Sequence, residues 1–292
     1  MRRLPGAFIL PLVAFVLAPA VFAQNNQPDI SGVWRILPPG RTTARAQTVG
    51  AGAAAPTLGA ERPPLTAWGQ TKWSQTKPSG RNSPLAYVFL PEQKDWNDPI
   101  FVCDPAGYPR TGAGNTLMRF VQLQDEVVQF FERDHFWRDF WTDGRKLPGS
   151  GAKPRWYGYS AARWEGNTLV VESSGFDDRT WLNMQGSIHS NEMRLVERFK
   201  IVDRDHIEFQ MTMTDPKAYT APWVGPMQIM ERLPTSDGVA EGIWGKKPDG
   251  TPYPDIREDM CVYSDEHLFW INDDPAGLGN NFGDALTGTD KK

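Results

Sequence analysis

"MRLVERFKIVDRDHIEFQMTMT", Met193 to Thr214, decides the fold. Two β-rich runs flank Asp203-Arg204-Asp205, the pattern of a hairpin. In the second run Ile207, Phe209, Met211 and Met213 fall on one face, and His206, Glu208, Gln210 and Thr212 on the other. A period of two sustained along the run marks a half-buried strand. The first run carries Glu197 and Arg198 inside the strand. Such charges face solvent in a filled sandwich and line the cavity in a ligand-holding barrel.

Outward from this hairpin the texture repeats. "LMRFVQLQ" and "VVQFFERD" meet at Asp125-Glu126, and "RWYGYSAARW" and "TLVVESSGF" flank Glu165-Gly166-Asn167, a second hairpin signal. "WVGPMQIMERL" reads as another strand, bent by Gly225-Pro226. "HFWRDFW" fits either period, since Phe136, Trp137, Phe140 and Trp141 also form a helical stripe. Successive hairpins predict a mainly β fold, a single antiparallel meander closed or half-closed as a barrel or sandwich. The 12 Trp, 25 Pro and 27 Gly agree with strands and structured loops.

The chain divides into four parts. Residues 1–23 read as a secretory signal peptide, with "MRR", then "GAFILPLVAFVLAPA" broken by Pro11, then "VFA" before Gln24. That run is too short and Pro-interrupted to predict a membrane span, and no later stretch is apolar enough for one. Residues 24–99 form an irregular N-terminal segment. Within it "PDISGVW" predicts an edge strand, and "PLTAWGQTKWSQ" a short helix capped by Thr66 and anchored by Trp68 and Trp73. Residues 37–64 are dense in Pro, Gly and Ala and build no core of their own. Residues 100–272 are the β-rich core, and 273–292 a loose tail.

A cleaved signal predicts a periplasmic or secreted protein. Without Arg2 and Arg3 the 31 basic residues become 29 against 35 acidic ones, a formal charge of about −6. That balance excludes nucleic acid as the natural partner. Cys103 and Cys261 are most simply a disulfide in an oxidising compartment, contributing at most about 5 kcal/mol in the chain-entropy model. Two free thiols are the alternative. Neither cysteine has a Cys or His at zinc spacing, so no metal is expected.

Several catalytic patterns fail on context. "GYSAA" resembles a nucleophile elbow, but Ala162 replaces its last glycine and the region is strand-turn-strand. "SGAK" at Ser150 matches S-x-x-K in letters alone. The chain holds four histidines. His206 decorates a polar strand face, His267 has no evident partner, and His135, flanked by charges and aromatics in "ERDHFWRD", fits packing and an inward position equally. His189, in "GSIHSNEM", lies in a loop at a sheet edge, where a rigid scaffold presents chemistry, and its intrinsic pKa suits acid–base work. In "FWTDGRKLP" Asp143-Gly144 is first a turn signal. Asp143 and Arg145 also form a carboxylate–guanidinium pair able to orient a ligand.

The blocks "DPIFVCDPAGYPR", "WTDGRKLP", "WYGYSAARWEGNTLVVESSGFDDRTWLNMQGSIHS", "MRLVERF", "TMTDPKAYTAPW" and "MCVYSDE" follow in this order. Together they resemble a large group of exported bacterial proteins, abundant in environmental proteobacteria and acidobacteria. The resemblance spans roughly Cys103 to Glu266. It implies weight at Asp143, Gly144, Arg145, Trp156, Arg163, Trp181, His189, Ser190, Glu197, Arg198, Asp215 and Trp223. Ala162 stands where the group's pattern has Gly, and Asn167 where it has Asp. It implies a fold and positions, and carries no reaction.

The expectation is a small-molecule-binding β protein. If it is an enzyme, cofactor-free acid–base chemistry of the lyase, isomerase or hydrolase kind is expected. His189 would be base or acid, Asp143 its orienting carboxylate, Arg145 the clamp for negative charge and Glu132 a weaker second acid. Trp141, Trp156, Arg163, Trp181 and Trp223 would line the ligand. The alternative is a non-catalytic binding or envelope protein in which His189 caps a turn. The two readings divide on geometry: the first needs His189, Asp143 and Arg145 in one pocket.

Overall fold

The computed structural model describes residues 27–37, 58–59, 61–78, 97–102, 104–112, 117–132, 135–149 and 151–233. The expected signal peptide (residues 1–23), both cysteines of the expected disulfide (Cys103 and Cys261), His267 and the expected tail lie outside them. Among the described residues ten strands form one sheet: β1 Gly32–Ile36, β2 Met118–Gln122, β3 Glu126–Phe131, β4 Trp137–Trp141, β5 Tyr159–Glu165, β6 Thr168–Ser174, β7 Arg194–Ile201, β8 His206–Thr214, β9 Trp223–Val224 and β10 Gln228–Arg232. One α-helix, α1, spans Ala67–Ser74.

The sheet closes on itself. β10 pairs with β1 on one side and with β8 on the other, so β1 is no edge strand but half of the seam. β9 and β10 are two pieces of one strand along β8, interrupted at Gly225-Pro226 where proline lacks a ladder N–H. The result is a closed barrel rather than a sandwich, with nine strands around the wall once β9 is counted with β10. An odd number of strands cannot alternate direction all the way round. One neighbouring pair must be parallel, and it is β4–β5, joined by the long connection 142–158 instead of a hairpin. The barrel is therefore mixed, not purely antiparallel.

Side-chain period sets the interior. β7 alternates with Leu195, Glu197 and Phe199 buried, and β8 buries Ile207, Phe209, Met211 and Met213. Phe120, Phe140, Phe199 and Phe209 form an aromatic layer, with Phe199 4.8 Å from Phe209 and 5.5 Å from Phe120. Outside, Arg163 pairs with Glu165 and Glu172, and Arg198 with Glu165. Their stems cover Val170, which is buried on the outward side of β6. The charged outer wall on β5–β7 differs from the apolar outer band of a membrane barrel. No helix among the described residues is long and apolar enough to cross a membrane.

Thr66 caps α1 as expected, its hydroxyl accepting from Gly69 N–H at 3.0 Å. The helix lies on the Ala218 backbone, where a Cβ at Gly69 would come within 2.2 Å of the carbonyl oxygen. Trp68 and Trp73 pack on the core from there.

Candidate functional site

The strand directions define two rims. β3 and β6 end at one, where β4, β5 and β7 begin, and the loop 175–193 with His189 spans this upper rim. Asp143 and Arg145 follow the end of β4 at the lower rim, where Thr142 N–H bonds the Asp125 carbonyl. The barrel length thus separates His189 from Asp143 and Arg145, and the three share no pocket.

At the lower rim Asp143 and Arg145 serve each other. Arg145 Nε and Nη2 fork the carboxylate, the closest contact being 2.5 Å, and the guanidinium lies 3.5 Å over Trp141. Hydrogen bonds from Arg145 hold the Asp143 carboxyl below its usual range. Gly144, at φ 82°, makes the turn, and a side chain there would meet nothing. Asp177 and Arg179 repeat the device at the upper rim, with Arg179 4.1 Å over Trp156.

His189 is fully buried. Its Nδ1 lies 3.0 Å from the Ser190 carbonyl, which can only accept, and its Nε2 lies 2.8 Å from the Thr180 hydroxyl. Burial pushes its pKa down against the pull of Asp215, Asp178 and Asp177. Burial keeps the ring neutral with its proton on Nδ1, and the single Thr180 O–H is shared between Nε2 and the Asp177 carbonyl, 3.2 Å away. Both nitrogens are engaged and no face is open to a substrate. Next to it Asp215 accepts from Ser190 N–H at 2.6 Å, Ser190 Oγ at 2.7 Å and Ala218 N–H at 3.1 Å. Tyr219 donates to the Ile188 carbonyl at 2.7 Å. This block ties the "SIHS" loop to the "DPKAY" turn.

The other expected residues are dispersed. Glu132 closes β3 and accepts from Leu117 N–H at 3.2 Å. Arg163 is on the outer wall. Trp181 is buried in the upper loop, and Trp223 donates to the Gly59 carbonyl and meets Tyr219 edge to face.

What converges instead is a polar set inside the barrel. Arg138 Nη2 donates to Glu197 Oε2 at 2.5 Å, and Nη1 to Glu197 Oε1 and Gln129 Oε1, both at 3.1 Å. Nη2 also reaches Ser173 Oγ at 3.0 Å, which lies 2.8 Å from Ser160 Oγ. The pair is sealed, with side-chain exposures of 1% and 0%. Tyr108 enters from the segment 104–112 over the upper rim. Its hydroxyl donates to Glu197 Oε1 at 2.5 Å, and its ring lies 3.8 Å from the Arg138 Cζ. Burial, then the charge of Glu197, push the phenol well above its usual pKa, so it stays a donor. Burial alone would lower the Arg138 pKa; the charges and hydrogen bonds of Glu197 and Tyr108 together outweigh it and raise it. The Arg138 Nε–H has no hydrogen-bond partner among the described residues.

Of this set the sequence reading weighed Glu197 and missed Arg138, Gln129, Ser173 and Tyr108. Once "HFWRDFW" is read with period two, Arg138 shares the inward parity of Phe140, which was the available signal. Among the described residues no cluster of His, Cys, Asp and Glu fits a metal ion.

Fold and site together define a class: a closed mixed β-barrel with a desolvated guanidinium–carboxylate pair in its interior. Comparison with models of known protein families and with curated proteins found no match for the chain.

Proposed function

We propose that this is an exported small-molecule-binding barrel whose recognition centre is the Arg138–Glu197 set, reached over the upper rim. The carrying observation is the convergence of Gln129, Arg138, Ser160, Ser173 and Glu197 from five consecutive strands on one sealed point. A buried ion pair is a poor stabiliser, because aliphatic side chains of similar volume fill such a space at no loss. A barrel of this size holds its own side chains or one small ligand. Fixed polar groups on rigid strands, beside an aromatic layer, suit recognition of a compact ligand. The closed environment of His189 supports a positioning role for it and binding rather than acid–base turnover.

A structural reading is favoured by one observation: apart from Arg138 Nε–H, the set is satisfied internally. Native mass spectrometry of protein isolated from the periplasm separates the two. A small retained mass, lost in Arg138→Met, supports binding. Protein that carries nothing, and that no compound in a metabolite thermal-shift panel stabilises, is a structural barrel.

A further inference from the structure

We infer that the ligand is a phenol, a compact aromatic ring bearing a hydroxyl, and that it takes the place held in the free barrel by the Tyr108 side chain. This rests on the binding reading above and names its ligand class.

Tyr108 is the one member of the polar set that no strand carries. Gln129, Arg138, Ser160, Ser173 and Glu197 belong to β3, β4, β5, β6 and β7, so their positions are fixed by the wall. Tyr108 is delivered by the segment 104–112, and its side chain is a ring with a hydroxyl. If that segment withdraws, three demands remain on whatever follows. The guanidinium presents a face to a π-system, as it does to Tyr108 at 3.8 Å. Glu197 Oε1 requires a donor, as it has from the Tyr108 hydroxyl. Phe131, 5.8 Å from the Tyr108 ring, offers an aromatic side wall.

The charges select further. Arg138 and Glu197 neutralise each other, so the vacated site favours a neutral molecule over an anion. An aryl carboxylate would set its charge against Glu197. An alkylbenzene would leave the acceptor unmet, and an aliphatic alcohol would leave the cation face bare. A phenol satisfies all three demands.

The segment's polar ties to the strands are few. Its Arg110 forks Asp98 at 2.8 and 2.7 Å, both groups buried, so it withdraws together with the turn at 97–100. Among the described residues its hydrogen bonds to the barrel run through Tyr108–Glu197 and through Thr111 Oγ1, 2.8 Å from the Tyr157 hydroxyl, and its residues 106–112 are buried. Gly107, with φ 74°, lies against Thr180, where a Cβ would come within 2.5 Å. His189 thereby acts on the site from behind, by fixing Thr180.

The test titrates wild type, Tyr108→Ala and Tyr108→Phe with 4-methylphenol, toluene and 4-methylbenzoate, following binding by calorimetry and the 104–112 peptide by hydrogen exchange. Wild type should bind 4-methylphenol and lose protection in 104–112 while β7 and β8 keep theirs. Both variants should bind it at least about tenfold more tightly, since the internal competitor is removed or weakened. Toluene and 4-methylbenzoate should bind at least about tenfold more weakly than the phenol. Equal affinity for toluene and 4-methylphenol overturns the assignment, as does phenol binding that leaves 104–112 protected. Tyr108→Phe, which keeps the ring, carries the test if Tyr108→Ala does not fold. Wild type that holds a non-aromatic compound and ignores 4-methylphenol remains a binding protein but not a phenol binder.

Discussion

The barrel uses the same chemical device in its interior and at its rims. Arg138 and Glu197, and Arg145 and Asp143, each pair a guanidinium with a carboxylate at a closest contact of 2.5 Å over an aromatic ring. Water separates them. Side-chain exposures are 1% and 0% for the interior pair, against 47% and 29% for the rim pair. In the interior each charge depends on the other, because neither has solvent to fall back on. At the rim water replaces a lost partner, and salt screens what remains.

The widest gap between the two should appear on removing one partner from each. Glu197→Gln leaves a buried guanidinium short of its counter-charge and should cost about 3–5 kcal/mol, read as a fall in the urea midpoint. The double change Arg138→Met with Glu197→Leu should recover most of that. If Glu197→Gln melts like wild type, the interior is wetter than its burial indicates and the contrast collapses.

A smaller effect should follow from disturbing the cover of the interior pair. Gly107→Ala puts a Cβ at positive φ against Thr180 and should cost about 1–3 kcal/mol. Hydrogen exchange should place the loss first in the 104–112 segment.

The third effect concerns pH. His189 has a folded pKa below its ordinary 6.5, so the unfolded chain binds the extra proton first. Its contribution is fully present above about pH 6.5 and is lost as pH falls through the folded value. Thermal melts between pH 7 and 5 should show a decline for wild type that His189→Gln lacks. A parallel decline in the variant would assign the sensitivity to other groups.

Asp143→Asn should be the mildest, with a melting temperature near that of wild type and a small difference that vanishes in high salt. A loss comparable to that of Glu197→Gln would show that solvent is not what distinguishes the pairs.

The same contrast explains what could be read from the sequence. Asp143 and Arg145 are two residues apart, so their pairing is written in "TDGR" and visible at once. Arg138 and Glu197 are 59 residues apart and meet only because β4 and β7 face one interior. The hairpins β2–β3, β5–β6 and β7–β8 were legible because their period and turns are local, as was the Thr66 cap. The barrel closure was not, since β1 finds β10 across the whole domain. "HFWRDFW" stayed open because its aromatic residues satisfy both periods, and only neighbouring strands on either side fix it as β4. His189 drew attention as a loop histidine, yet local sequence does not report the Asp215 and Tyr219 contacts that bury its loop.

The β1–β10 seam has a consequence for the order of assembly. Strands β5 to β8 pair with their immediate successors, β5–β6 and β7–β8 through short turns and β6–β7 through the loop 175–193, so they can zip as the chain is made. The seam joins Arg35 to Glu231, 196 residues apart, so that strand pair carries a much larger loop-closure cost. Until that seam forms, the sheet is open along two edges. Water then still reaches Arg138 and Glu197, and each remains hydrated. The step that joins the first strand to the last is also the step that dries the interior, so desolvation of the ion pair falls at the end of folding, when its partners are already in position.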